Sequence, residues 1–240
     1  MKIIYVNGDS HAAAAEAVVP CAFAEDDEFY YGMGRRPHPE NERVSWGCEI
    51  ANQLGAVLQL DAESASSNYR IERTTREWIN NPSFIDYEQI VLIGWSTWER
   101  EEWLIDDVYY QVGSSGIDDV PETHQQQYKD FVINVNWQQV TEYWHNRIWQ
   151  LHLDLKENNI PHVFFNCNNS FEKIAADSQY DWGANYISPY SADGTYDQRL
   201  RQMGHDTVSA DSWHFGPNAH RNWAEFMLQY IYNNKILGTK

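Results

Sequence analysis

Short apolar runs alternate with amphipathic segments along most of the chain. Four runs rich in β-branched and aromatic residues predict strands at residues 2–6, 56–60, 89–95 and 162–165. Helical composition or periodicity predicts helices at residues 12–19, 43–54 and 68–79, with a closing helix that ends at Gly238. A further helix is predicted from about Trp137, because apolar residues recur there at steps of three and four: Val140, Trp144, Ile148, Leu151 and Leu155.

This alternation of strands and helices predicts the fold class. Strand–helix–strand units build a mostly parallel sheet covered by helices on both faces, here in a single α/β domain over residues 1–240. The acidic, aromatic residues 98–127 lack a clear period and are interpreted as an insertion or lid. Residues 20–42, with the acidic run 25–28 and a basic turn at Arg35 and Arg36, predict an irregular surface excursion.

Charge and composition then exclude several functions. Asp and Glu number 35 against 17 Lys and Arg, so the net charge of −18 opposes binding to nucleic acids and to anionic membrane surfaces. No apolar run reaches membrane-spanning length, and none near the N-terminus forms a signal core, so synthesis in the cytoplasm is expected. The three cysteines form no C-x-x-C pair, which favours inert thiols.

Neither a metal nor an organic cofactor is expected. The sequence contains no H-E-x-x-H, no phosphate loop ending in G-K-[ST] and no G-x-G-x-x-G. Asp106-Asp107 and Asp118-Asp119 lack the spacing of a calcium loop and are interpreted as acidic surface. His145 and His152 lie beside the apolar stripe of the helix predicted from about Trp137, and each is expected to be a helix-surface or packing histidine rather than a metal ligand.

Two short motifs can carry catalysis. Gly8-Asp9-Ser10 follows the first predicted strand and precedes a predicted helix, where orphan amides would favour an oxyanion. Asp211-Ser212-Trp213-His214 precedes the last helix, where the spacing would let Asp211 hold one nitrogen of His214. The alternatives are a helix N-cap at Ser10, and a capping Asp211 beside an exposed His214.

The order and context of these motifs resemble the SGNH (GDSL-type) hydrolase family. The second block, D-S-W-H-F-G-P-N-A-H-R-N-W-A, matches that family at Asp211, His214, His220, Trp223 and Ala224. The resemblance implies a three-layer, flavodoxin-like SGNH hydrolase fold with a parallel central sheet. It also implies a nucleophilic Ser10, a general base at His214 and an orienting carboxylate at Asp211. His220 is interpreted as a packing residue at the start of the helix.

The resemblance also implies an oxyanion hole, whose two middle blocks are altered here. The family uses a glycine amide after the second strand, where Ala65 or Ser66 stands, and an asparagine after the third strand, where Ser96 and Thr97 stand. The implied donors are therefore the following residues, with Asn68 as a substitute amide: Ser10, Ala65, Ser66, Asn68, Ser96 and Thr97.

Two functions remain open at this stage. The first is hydrolysis of a small ester, with O-acetyl groups on carbohydrate favoured because tryptophans and tyrosines near the strand ends could stack on sugars. The second is a binding or virion-structural module that keeps the fold with weakened catalysis. The runs S-S-N-Y-R-I-E-R-T-T and G-W-S-T-W-E-R-E-E-W are similar to SGNH-like proteins of tailed bacteriophages, which implies an association with virions. The oligomeric state is left open.

Overall fold

Four parallel strands form the central sheet: β1 (Lys2–Asn7), β2 (Val57–Leu60), β3 (Glu88–Trp95) and β6 (His162–Asn166). Their order is β2-β1-β3-β6, so β1 lies between β2 and β3. The computed structural model describes residues 1–22, 36–84, 87–113, 116–174 and 179–238. All four predicted strands are confirmed within about one residue, and with them the parallel α/β class.

Helices cover both faces of the sheet. The seven helices are α1 (Pro39–Glu42), α2 (Trp46–Leu54), α3 (Asn68–Ile79), α4 (Gln125–Asn134), α5 (Trp137–Glu157), α6 (Tyr196–Gln202) and α7 (Pro217–Asn233), counted over the described ranges. Because side chains alternate along a strand, Ile4 and Val6 of β1 pack on the side of α2 and α7. Ile3 and Tyr5 pack on the opposite side, against α3 and α5.

Capping residues explain where the best-predicted helices begin and end. The Ser67 hydroxyl accepts the N–H of Arg70 at the start of α3, and Asn80 ends that helix as predicted. Gly55 closes α2 in the left-handed conformation that glycine adopts without strain. The predicted apolar face of α5 is also confirmed, since Trp144, Ile148, Leu151 and Leu155 are buried.

The helix predicted at residues 12–19 is wrong. The segment consists of turns, and Ala14 and Glu16 adopt φ values of 54° and 61° that no right-handed helix contains. Ala12 packs so tightly on Gly8 that a Cβ at Gly8 would lie 2.7 Å from the Ala12 Cβ. Small side chains here therefore permit close turns, and Ser10 does not stand at a helix N-terminus.

The inserted segment is an ordered β-hairpin followed by short helices. Strands β4 (Glu101–Ile105) and β5 (Val108–Val112) pair antiparallel, and α4 follows. The Arg73 guanidinium of α3 lies 2.7 Å from the buried Glu102 carboxylate, which ties the hairpin to the main body. Of the predicted excursion over residues 20–42, the acidic run 25–28 and Arg35 lie outside the described residues, whereas α1 replaces part of the predicted irregular chain.

Candidate active site

Asp9 lies at the end of β1 within a buried polar network. Its Oδ2 accepts hydrogen bonds from the Ser96 hydroxyl at 3.0 Å and the Arg100 Nη1 at 3.3 Å, and its Oδ1 accepts the His11 N–H at 3.0 Å. Burial would raise the pKa of Asp9, but His11, Arg100 and these hydrogen bonds together lower it. Because burial also lowers the pKa of His11, Arg100 is the cation that persists beside Asp9.

Asn68 joins the start of α3 to the end of β3. Its Nδ2 donates to the Ser96 carbonyl at 3.1 Å, and its Oδ1 accepts the Ser96 N–H at 2.8 Å. Both residues are fully buried, and the Ser96 hydroxyl is bonded to Asp9. The structure therefore differs from the predicted oxyanion roles of these two side chains: Asn68 fixes Ser96, and Ser96 in turn fixes Asp9.

His214 is held by Glu16. The Nδ1 of His214 lies 2.8 Å from Glu16 Oε2, which also accepts the Ser212 hydroxyl at 2.6 Å. These hydrogen bonds, from Ser212 first and then from His214, lower the pKa of Glu16. The Nε2 of His214 has no hydrogen-bond partner among the described residues, so one ring nitrogen is anchored and the other is available.

The structure gives Asp211 a different place from the predicted one. The carboxylate that contacts His214 belongs to Glu16, and Asp211 is exposed without a hydrogen bond or ion pair to His214. A bridge between Thr207 and Phe215, with the Val208 N–H donating to the His214 carbonyl at 2.8 Å, closes residues 207–215 into a tight loop. Asp211 is exposed in the middle of this loop and makes no hydrogen bond to the ring that it was predicted to orient.

The segment that carries Ser10 packs against His214. The ring of His11 meets the ring of His214 edge-on, with centroids 5.6 Å apart, and Glu16 belongs to the same segment. Ser10 is buried, with 6% of its surface exposed, and its hydroxyl makes no hydrogen bond within the described part of the chain. The two distant motifs are thus brought together, although no hydrogen bond joins the side chains of Ser10 and His214.

The backbone N–H groups of the predicted oxyanion residues differ in whether they are already hydrogen-bonded. Those of Ser10 and Ala65 make no hydrogen bond to any described residue, whereas the N–H of Ser66 donates to the Glu63 carbonyl. Ala65 adopts φ 64°, the left-handed conformation in which the family's glycine would be unstrained. Thr97 is half-buried, and the Ser66 hydroxyl is buried without a partner.

The sequence motifs predict neither Glu16 nor His11 as part of the site. The available signal for Glu16 was that it is the single acidic residue within the alanine-rich segment 12–19. His11 is buried against Tyr196, and its Nε2 lies 3.2 Å from the Asn168 amide nitrogen. His220 packs as predicted, and burial, with His11 and His214 nearby, lowers its pKa to about 3.

An exposed aromatic side chain adjoins His214. The Trp213 side chain, next to His214, is 75% exposed.

Across the described ranges, no three His, Cys, Asp or Glu side chains lie grouped as a metal ion would require. Within the same ranges, every helix is too short or too polar to cross a lipid bilayer.

Comparisons with known proteins found one matching family model and several similar solved structures. Residues 32–164 match the model of a family of unknown function (DUF6071), a range that contains neither Ser10 nor His214. No curated protein matches the chain.

Similar solved structures include a putative lipolytic protein of the G-D-S-L family from Desulfitobacterium hafniense DCB-2, at 11% identity and TM-score 0.43, covering 96% of this chain and 99% of that one. An acetyl xylan esterase (Est2A) from the rumen bacterium Butyrivibrio proteoclasticus matches at 11% identity and TM-score 0.47, covering 98% of this chain and 65% of that one. A carbohydrate esterase family 2 enzyme with a carbohydrate-binding domain, from Corynascus thermopiles (Myceliophthora fergusii), matches at 14% identity and TM-score 0.48, covering 97% of this chain and 66% of that one. The chain thus spans about two thirds of the length of these two esterases.

Proposed function

We propose that this chain, which belongs to the family of unknown function DUF6071, is an SGNH-type serine esterase. In this proposal Ser10 is the nucleophile, His214 is the general base, and Glu16 takes the orienting role that the sequence motif assigned to Asp211. One observation carries the proposal: Glu16 holds the Nδ1 of His214 at 2.8 Å, which leaves Nε2 as the acceptor for a serine proton.

The proposed reaction is acyl transfer in two halves. Ser10 Oγ attacks the ester carbonyl while His214 Nε2 takes its proton, and the C–O bond to the alcohol breaks as the same proton passes to the leaving oxygen. Water then attacks the acyl-serine with His214 again acting as base, which releases the acid and restores Ser10. The N–H groups of Ser10 and Ala65 stabilise the oxyanion in both halves.

The Asp9 network acts in this scheme as support for the nucleophile. Asp9 precedes Ser10 directly, and Ser96 and Arg100 fix its carboxylate. Because Asn68 fixes Ser96 in turn, the turn that carries Ser10 is anchored to both β3 and α3. Neither Asn68 nor Ser96 touches substrate in this scheme, so the oxyanion hole depends on backbone donors.

The proposed substrate is a small ester, with O-acetyl groups on carbohydrate as the favoured class. The support is the exposed indole of Trp213 next to His214, since an exposed aromatic face beside a reactive centre suits stacking on a sugar ring. The strong negative charge of the chain disfavours anionic substrates.

A second function is a binding or virion-structural module with weakened catalysis. The observation that favours it is that the Ser10 hydroxyl makes no hydrogen bond to His214 and that the Asn68 amide is buried away from solvent. Under this alternative the fold and the Glu16–His214 pair persist without an activated nucleophile.

Hydrolysis of p-nitrophenyl acetate separates these two functions. We expect the Ser10→Ala variant to lose about a thousandfold or more of kcat/KM, because the acyl-enzyme can no longer form. The matched control is Ser209→Ala, an exposed serine of the 207–215 loop, which should retain activity. Equal rates for the wild type and Ser10→Ala would overturn the esterase proposal and favour the binding module.

A further inference from the structure

A pocket of about 440 Å³ lies between the inserted hairpin and α5, apart from the Ser10–His214 pair. Glu101 of β4, residues of α4 and the first two turns of α5 line it, together with Tyr69 and Trp98. Its volume falls within the roughly 300–1,000 Å³ that is typical of small-ligand sites. The pocket is therefore large enough to hold a small organic ligand. The proposed esterase chemistry at Ser10 does not require such a ligand.

Aromatic rings form the walls of this pocket. Four of its lining rings are Tyr69, Trp98, Phe131 and Trp144. Contacts with other rings fix two of them: Trp98 stacks on Phe171, outside the pocket, with centroids 4.7 Å apart, and Tyr69 meets Trp144, itself part of the wall, edge-on at 4.6 Å. Trp98 and Trp144 are buried, so the half-buried rings of Tyr69 and Phe131 present the more open faces. The fixed position of Tyr69 lowers the entropic cost of stacking a ligand on it.

Polar groups with unused hydrogen-bonding capacity lie among these rings. The side-chain amide of Gln139 has no partner among the described residues, and the same holds for the indole N–H groups of Trp98 and Trp144. Asn136 uses only its Oδ1, which accepts the Gln139 N–H, so its Nδ2 remains available. Glu101 accepts the Trp103 indole N–H through Oε2, and its Oε1 has no partner within the described chain.

We infer that this pocket binds a neutral oligosaccharide. A sugar ring offers one C–H face that stacks on aromatic rings and a rim of hydroxyls that both donate and accept, which matches the rings, the amides and the Glu101 carboxylate. A lipid chain would leave these polar groups without partners. An anionic ligand would meet Glu101 and the net charge of −18.

The pocket lies at the same edge of the sheet as the candidate active site. Trp98 follows Ser96 by two residues, and Tyr69 follows Asn68 directly, so the clamp between Ser96 and Asn68 connects both sites. The binding itself requires no chemistry at Ser10, so this inference goes beyond the proposed function.

The test is calorimetric titration of the full chain carrying Ser10→Ala with cellohexaose, xylohexaose, mannohexaose and chitohexaose. We expect at least one of these neutral oligosaccharides to bind with a Kd of millimolar or lower. Gln139→Leu should weaken that binding by roughly five- to a hundredfold, because it removes both hydrogen-bonding groups of the amide at similar volume. The matched control is Gln138→Leu, whose amide bonds to Glu142 on the exposed side of the same helix and which should bind as before.

Two outcomes would overturn the inference: no binding of any of the four sugars at millimolar concentration, or equal weakening by Gln139→Leu and Gln138→Leu. Every titration uses a protein that lacks the proposed nucleophile. The sugar-binding result therefore does not depend on whether the wild-type chain hydrolyses esters. Conversely, loss of sugar binding leaves the hydrolysis of p-nitrophenyl acetate as a separate measurement. The two proposals can therefore fail independently.

Discussion

The assignment of Glu16 as the partner of His214 can be tested by exchanging one carboxylate for an amide. Glu16→Gln keeps the volume of the side chain but removes the anion that faces Nδ1 at 2.8 Å. The Gln amide can donate to Nδ1, which places the remaining ring proton on Nε2, where it blocks transfer from Ser10. The matched change is Asp211→Asn, which makes the same chemical substitution at an exposed position in the middle of the 207–215 loop.

The expected loss follows from the strength and exposure of the bond. A hydrogen bond to a charged group contributes about 1.5–3 kcal/mol, and the Glu16 side chain is 34% exposed, so solvent screening favours the lower end. About 1.5–2 kcal/mol corresponds to roughly a 10- to 30-fold lower kcat. The unfavourable tautomer adds to this, and we expect a total loss of about a hundredfold or more.

The assay is steady-state hydrolysis of p-nitrophenyl acetate, with circular dichroism to confirm that each variant is folded. We expect Glu16→Gln to lower kcat strongly while KM changes little, and Asp211→Asn to stay within about threefold of the wild type. Should Asp211→Asn lose as much as Glu16→Gln, or should Glu16→Gln retain full activity, the orienting role of Glu16 would be refuted. Both variants contain Ser10, so the comparison tests only which carboxylate orients the His214 ring.

Two further predictions concern stability. Ala65→Gly should raise the free energy of unfolding by about 0.5–1 kcal/mol. The reason is that relief of roughly 1–2 kcal/mol of left-handed backbone strain exceeds the stability lost through the added freedom of the unfolded chain. Urea unfolding midpoints check this, with Ala56→Gly as the control that should lose stability. His152 and His162 lie 2.8 Å apart, and burial lowers their pKa values to about 3 and about 4. Below about pH 6.5 the two histidines bind protons in the unfolded chain but stay neutral in the folded state. The free energy of unfolding should therefore fall from pH 6.5 toward pH 4, by about 2 kcal/mol per histidine at pH 5. Urea unfolding at pH 7 and pH 5 should show a smaller acid loss in the His152→Gln/His162→Gln double variant, and an unchanged loss would contradict this account.

The elements that local chemistry determines were predictable from the sequence. Ser67 and the Asn80-Asn81-Pro82 stop fix both ends of α3, and its bounds agree with the prediction. The strands were equally clear, because a parallel sheet covered on both faces requires continuous apolar runs. In these elements, the caps and the hydrophobic pattern indicate the same structure that packing then stabilises.

The hairpin of the insertion was missed for a specific reason. Its two-residue turn is Asp106-Asp107, with φ 49° and 63°, whereas sequence reasoning associates such a turn with Asn-Gly or Asp-Gly. Two adjacent aspartates indicate acidic surface rather than a turn, so the sequence does not predict the turn between these strands. Leu104, on the outer side of β4, is exposed and obscures the alternation further.

The helix predicted at residues 12–19 and the partner of His214 were missed together. Alanine favours helices locally, but the turns at Ala14 and Glu16 bring the Glu16 carboxylate to a ring 198 residues away. No local pattern encodes a contact of that separation. Motif spacing indicated Asp211 instead, because three residues of separation can span a turn, although the loop that forms directs Asp211 into solvent.

The order in which the chain is synthesised has a consequence for assembly of the reactive centre. β1 is an inner strand, and all four strands of the sheet are complete once residue 166 has been made. Ser212 and His214 follow more than forty residues later, and until then Glu16 has neither of its hydrogen-bonding partners. The reactive centre therefore cannot be assembled before residues 207–215 have been made, and any proposed hydrolytic competence begins only when this loop has docked on the segment that carries Glu16.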